Sequence, residues 1–198
     1  MSASRPDSAF NSVFLNIPYD RGFNRLYLAY IAGLICLGLN PRATLEIPGG
    51  RNRLEKIIEL IRDCRYSIHD LSRVQLDRIS PRTPRFNMPF ELGLAVASSR
   101  LNSNPHNGFV FESVHRRAAK SLSDLSGTDA NIHKGTVAGV MREPCNCFER
   151  DSVAEMMSTY RAVSLRVDEI LRRTRAQSLY EAGVFRLLCS AARRALKQ

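Results

Sequence analysis

The sequence predicts an α/β fold: a doubly wound, flavodoxin-like parallel sheet of four to five strands, with helices toward the carboxyl end of the chain. Short apolar, β-branched runs alternate with longer stretches of helical periodicity, and the connections between them are short. That alternation implies right-handed βαβ units whose helices cover a parallel sheet on both faces. At 198 residues the chain suffices for one domain with a sizeable core, or for a domain and a small helical appendage.

The first strand is "SVFLNI", Ser12 to Ile17, apolar and stopped by Pro18. "PYDRGFNRLYLAYIAGLICLGL" follows with apolar residues at helical spacing from Phe23 through Leu26, Tyr30, Leu34 and Leu37, and Asp20 is a natural N-cap for it. "RATLEI" reads as the second strand, "NRLEKIIELIRDC" as the second helix and "RYSIHDLS" as the third strand. A polar loop, "VQLDRISPRTPR", leads to a helix beginning in "NMPFELGLAVA", and "GFVFES" supplies the fourth strand. Beyond Ser113, "HRRAAKSLSDLSGTDANIHKGTVAGVMREPCNCF" mixes short helical stretches with a turn-rich centre, and no fifth strand stands out. From Asp151, "VAEMMSTYRAVSLRVDEILRRT" and "SLYEAGVFRLLCSAARRAL" read as two amphipathic helices divided near Ala176 to Ser178, packed on the sheet or on a second subunit.

Composition narrows the function classes. Hydrophobic residues make up 44% and charged residues 24%, so the chain folds rather than serving as a linker or low-complexity segment. The longest apolar stretch, "LYLAYIAGLICLGL", is too short to cross a bilayer, and "MSASRPDSAF" lacks the plan of a signal peptide. A cytoplasmic, soluble protein is expected. The five cysteines are odd in number and scattered, and the C-x-C pair Cys145 and Cys147 has no second pair at metal-binding spacing, so no metal is expected. The net charge of +10 is spread along the chain, with short basic clusters only in "LRRTR" and "AARRALK". An anionic ligand or partner fits that distribution, and sequence-specific nucleic-acid binding does not.

In doubly wound folds ligands bind beyond the carboxyl ends of the strands, where the strand order reverses. The loops after strands one and three, and the starts of the helices that follow, are therefore where chemistry is expected. Asn87 is a good N-cap and Pro89 is tolerated in a first turn, so Glu91 falls near the start of a helix read as mostly buried. Glu91, Ala95 and Ser98 share a small, polar face open to a ligand. The plainer alternative is a first-turn acid stabilised by the helix dipole, worth about 0.3–1 kcal/mol. Asp70 ends the third strand and points to the opposite face from His69. By itself a strand-ending aspartate reads as a turn former, whereas His69 reads as a buried or interface histidine. Asn16, Tyr19 and Asp20 line the loop after the first strand, and Asp20 doubles as the N-cap. Arg73 and Arg85 flank the long loop, placed either to meet a pyrophosphate or to be solvated. "IHKGT" resembles the tail of a P-loop but lacks its preceding glycines, so it is discounted as one. His133 and Lys134 remain candidates because a late, turn-rich segment can fold back over a crevice.

The order "VFLNIPYDRGF", "IRDCRYSIHDLS", "PRFNMPFELGLA" resembles that of the superfamily of Toll/interleukin-1 receptor (TIR) domains and nucleoside 2-deoxyribosyltransferases. The resemblance covers roughly residues 12 to 113, rests on short motifs, and leaves the last third of the chain outside. Glu91-Leu92-Gly93-Leu94-Ala95 looks like the deoxyribosyltransferase form of the helix start whose glutamate acts on an N-glycosidic bond. The resemblance implies a TIR-like α/β domain, placed over residues 1–150, and the two amphipathic helices then form a helical extension over 151–198. It also implies Glu91 as nucleophile or electrostatic stabiliser and Asp70 as a second catalytic residue. Asn16, Tyr19, Asp20, Arg73, Arg85 and His133 would contact substrate. NAD or a related nucleotide would then be the substrate rather than a cofactor, and the setting bacterial signalling or antiviral defence. "NIPYD" departs from a glycine-rich phosphate cradle, so nothing independent supports nucleotide binding. A non-catalytic nucleotide-sensing or assembly module of the same fold, self-associating through the carboxyl-terminal helices, is the alternative.

Overall fold

A computed structural model describes residues 11–74, 80–101, 106–117, 120, 122 and 129–197. The amino-terminal stretch read for a signal peptide, residues 75–79 of the polar loop and residues 126–128 of the turn-rich centre lie outside the described residues. The sheet has five parallel strands in the order β2-β1-β3-β4-β5, the flavodoxin-like order. The strands are β1 (Ser12–Asn16), β2 (Asn40–Arg42), β3 (Tyr66–Asp70), β4 (Asn107–Glu112) and β5 (Asn131–Ile132). Seven helices accompany them among the described residues: α1 (Asn24–Cys36), α2 (Arg53–Asp63), α3 (Asn87–Leu101), α4 (Val137–Cys147), α5 (Val153–Ser164), α6 (Val167–Thr174) and α7 (Ala182–Ala195).

The two-residue period of the strands sorts the helices onto two faces. Val13 and Leu15 of β1 and Ile68 of β3 join the larger core with α1, α4, α5 and α7. Phe14 points the other way, into a smaller cluster with Ile57, Leu60 and Ile61 of α2 and Ala95 of α3. α1 is the central helix, buried from Leu26 to Ile35 because α4, α5 and α7 all pack on it. The helices after residue 150 thus spend their apolar faces inside this chain, with Met156, Val163, Phe185 and Leu188 fully or almost fully buried.

Several elements differ from the sequence expectation. "RATLEI" is not a strand: β2 ends at Arg42, and Thr44–Glu46 forms a 3-10 turn. Glu46 bends its carboxylate back to the Ala43 amide at 2.9 Å and to Arg42 Nε at 2.9 Å, closing a local turn in place of a ladder. The first carboxyl-terminal helix is two, α5 and α6, because the chain turns at Leu165 and carries α6 off α1 to pack on α7. α3 is a surface helix rather than a mostly buried one, since only Met88, Leu92 and Ala95 are buried and Phe90 is 54% exposed. Its first helical bond runs from the Phe90 amide to the Phe86 carbonyl, so Phe86 holds the cap position and Asn87 lies inside the helix.

Candidate active site

Glu91 stands at the fifth position of α3, past the first turn, so the helix dipole does not account for it. Its surroundings do. The residue lines a cavity of about 880 Å³ at the carboxyl ends of β1 and β2. Asn16, Ile17, Pro18 and Tyr19 form one wall, Thr44 and Arg53 a second, and Arg85, Phe86 and Phe90 a third. The carboxylate is half-buried and makes no hydrogen bond or ion pair among the described residues. Burial raises its pKa from 4.5 to about 7, and the charge of Arg53 opposes that only in part. A carboxyl group is thus held partly dry, with no partner among the described residues and its pKa raised to about 7, beside a space large enough for a ligand.

The walls are fixed from below. Asn16, paired in register with His69, donates its amide to His69 Nδ1 at 2.9 Å and to the Met88 carbonyl at 2.9 Å. One side chain so ties β1, β3 and the start of α3 together. His69 is fully buried, burial lowers its pKa to about 3, and its Nε2 has no partner among the described residues. It is a neutral core histidine. Tyr19 meets Thr44 Oγ1 at 3.3 Å, and burial raises its phenol well above the usual range. Arg53 donates to the carbonyls of Ile47 at 2.8 Å and Thr44 at 3.3 Å. At the rim, Asp20 does not cap through its side chain; its carboxylate pairs with Arg85 at 3.1 Å.

Asp70 is not in this cavity. Because side chains alternate along β3, it lies on the α1 face, through the sheet from α3 and Glu91. It is fully buried, accepting from the Tyr30 hydroxyl at 2.8 Å and the Ser72 amide at 2.9 Å. Beside it is His133, directly after β5 and also fully buried, with Nε2 3.1 Å from Asp70 Oδ2 and 2.9 Å from Ser72 Oγ. The Gly135 amide donates to His133 Nδ1 at 3.0 Å, so the ring proton sits on Nε2. That tautomer cannot take a proton from Ser72, and serine and aspartate meet the same nitrogen. The cluster therefore lacks the connectivity of a catalytic triad, in which the acid holds the nitrogen opposite to the one facing the nucleophile.

Arg73 lines a second cavity of about 300 Å³ on the α1 face. The candidates from the sequence thus divide: Asn16, Tyr19, Arg85 and Glu91 line one cavity with Asp20 at its rim. Arg73 borders the other, and Asp70 and His133 are buried behind it. Sequence reasoning missed Arg53, although a cation in the first turn of a helix, where the dipole disfavours it, was a visible signal. It also missed Tyr30, whose apolar helical spacing disguised its bond to Asp70. Cys145 and Cys147 turn to separate partners, Met156 Sδ at 3.8 Å and Asn131 Oδ1 at 3.4 Å. No family model, curated protein or solved structure matches this chain.

Proposed function

We propose that the protein cleaves, or transfers across, the N-glycosidic bond of NAD or a related nucleotide or nucleoside, with Glu91 as the catalytic carboxylate. The observation that supports this reading is the half-buried Glu91, without a partner among the described residues, facing the 880 Å³ cavity at the strand tips. Breaking the bond between an anomeric carbon and a cationic ring nitrogen builds positive charge on the sugar. A carboxylate beside that carbon stabilises the charge or attacks it, the more strongly for being partly dry. In hydrolysis of NAD the bond electrons leave with nicotinamide, water adds its oxygen to the anomeric carbon, and a proton is released. Phe86 and Phe90, 66% and 54% exposed at the cavity edge, offer faces for an aromatic base, and Arg53 and Arg85 offer charge for its phosphates. A soluble cytoplasmic setting accords with this substrate class, and no helix among the described residues is long and apolar enough to cross a membrane.

The test is nicotinamide release from NAD, with base release from nucleosides and deoxynucleosides in parallel, by wild type and Glu91→Gln. Loss on the order of 100-fold or more is expected in the variant, the scale of removing one preorganised charge from a transition state. Because the carboxylate is the working form, the wild-type rate climbs through pH 7 and levels off above it. Turnover that survives Glu91→Gln removes the residue from the chemistry. Saturable nucleotide binding without turnover leaves a sensing module.

A further inference from the structure

We infer that the second cavity, on the α1 face, is a binding site for a phosphoryl anion: a phosphate or pyrophosphate group carried by a small molecule. It lies at the carboxyl ends of the strands, with Ser72 two residues beyond β3 and Ser113 directly beyond β4, and Gly135 and Val137 at the start of α4. Among the described residues every charged residue lining it is an arginine: Arg25 from α1, Arg73 from the loop after β3 and Arg117 from the segment after β4. Arg117 is held in place by the buried Glu112, with Nε 2.9 Å from Oε2, and by a bond from Nη2 to the Ser72 carbonyl at 2.9 Å. The other two have no such anchor. Among the described residues Arg25 and Arg73 make no hydrogen bond or ion pair. Among the described residues no carboxylate lines the recess, and Asp20, whose carboxylate also borders Gly22, is paired with Arg85.

The placement of these two exposed cations leaves their charge available to an anion. Arg25 is the second residue of α1, where the helix dipole repels positive charge. Arg73 lies so close over the turn before α1 that a Cβ on Gly22 would come within 2.8 Å of its Nη2. Three guanidinium groups from three separate segments, converging on a recess of about 300 Å³ with serine hydroxyls in its wall, suit a tetrahedral oxyanion. Behind the recess the buried Tyr30, Asp70 and His133 side chains fix Ser72 and Gly135, which do line it. This inference stands apart from the role proposed for Glu91.

Isothermal titration with inorganic pyrophosphate, in buffer of physiological ionic strength, tests it. Wild type and Glu91→Gln should bind saturably with equal affinity. Arg25→Ala/Arg73→Ala, which alters two exposed side chains that have no partner among the described residues, should unfold at the wild-type midpoint yet lose ~10-fold or more in affinity. Arg172→Ala/Arg173→Ala, removing the same charge from the exposed side of α6, should bind as wild type. Absence of saturable binding, equal affinity in the Arg25/Arg73 variant, or an equal loss in the Arg172/Arg173 variant would each overturn the assignment. A parallel titration with ADP separates the sources of the phosphate. Affinity lost both in the Arg25/Arg73 variant and in Phe90→Ala means one nucleotide reaches both cavities, and affinity lost only in the former means a separate anion.

Discussion

Glu91 and His69 set opposing pH dependences on stability. The Glu91 pKa rises from 4.5 unfolded to about 7 folded, so between those values the unfolded chain releases its proton first. Stability linked to this group is therefore fully present below pH 4.5 and is lost as pH climbs to 7. His69 acts in reverse: its pKa falls from 6.5 to about 3, so its contribution is lost as pH drops through that window. Comparing wild type with Glu91→Gln cancels the histidine, which both proteins share. The amide should be the more stable protein at pH 8 by on the order of 1–3 kcal/mol, and the gap should close toward pH 4.5. Denaturant melts at pH 4.5, 6 and 8 check this. A gap that does not change with pH means that the carboxyl is solvated and that the cavity does not desolvate it.

At the scale of elements, the start of α4 is the junction with least tolerance. Thr136 caps the helix by accepting from the Gly139 amide at 3.0 Å, and its hydroxyl donates to the His133 carbonyl at 3.1 Å. That return of the chain brings Gly139 so near His133 that any Cβ would collide with the His133 carbonyl group, which is backbone and cannot swing aside. Gly139→Ala should cost about 1–3 kcal/mol or more and shift His133 against Asp70. Gly183, in the first turn of α7 with nothing within 4 Å of its added Cβ, is the contrast: Gly183→Ala should stabilise by about 0.4–1 kcal/mol. Thermal unfolding of the two variants reads both signs, and equal effects would mean that the junction relaxes. None of this was legible beforehand, because β5 is a two-residue ladder, too short to leave a period in the sequence. β1, β3, β4 and the long helices were legible because burial of whole faces writes a pattern over five or more residues. β2 was misplaced because its β-branched and apolar neighbours, Thr44 and Leu45, imitate a strand while Glu46 closes a turn.

For the molecule as a whole, the site divides where the sheet does. That Asp70 and Glu91 stand on opposite faces was implicit in the alternation along "YSIHD", once the helix bearing Glu91 is set against the His69 face. What no local pattern carried is the part played by the last third of the chain. Tyr180, just before α7, donates its hydroxyl to the Asp20 carbonyl at 2.7 Å, and its ring lies 5.2 Å from that of Tyr19 and 4.9 Å from that of Tyr27. The carboxyl-terminal helices therefore brace the loop after β1 that forms one wall of the Glu91 cavity. Tyr180→Phe keeps the ring and removes one hydrogen bond; since the Asp20 carbonyl still accepts from the Phe23 amide at 2.9 Å, the cost should be near the lower end of about 0.5–1.5 kcal/mol. Tyr180→Ala empties the space against both rings and should cost about 1–3 kcal/mol while leaving the Tyr19 wall unsupported. If the brace matters to the site, NAD or nucleotide affinity falls further in the alanine variant than in the phenylalanine variant, at a temperature where both are folded. Equal affinity in all three proteins, with only the unfolding midpoints moved, would make α7 a cover for α1 and nothing more.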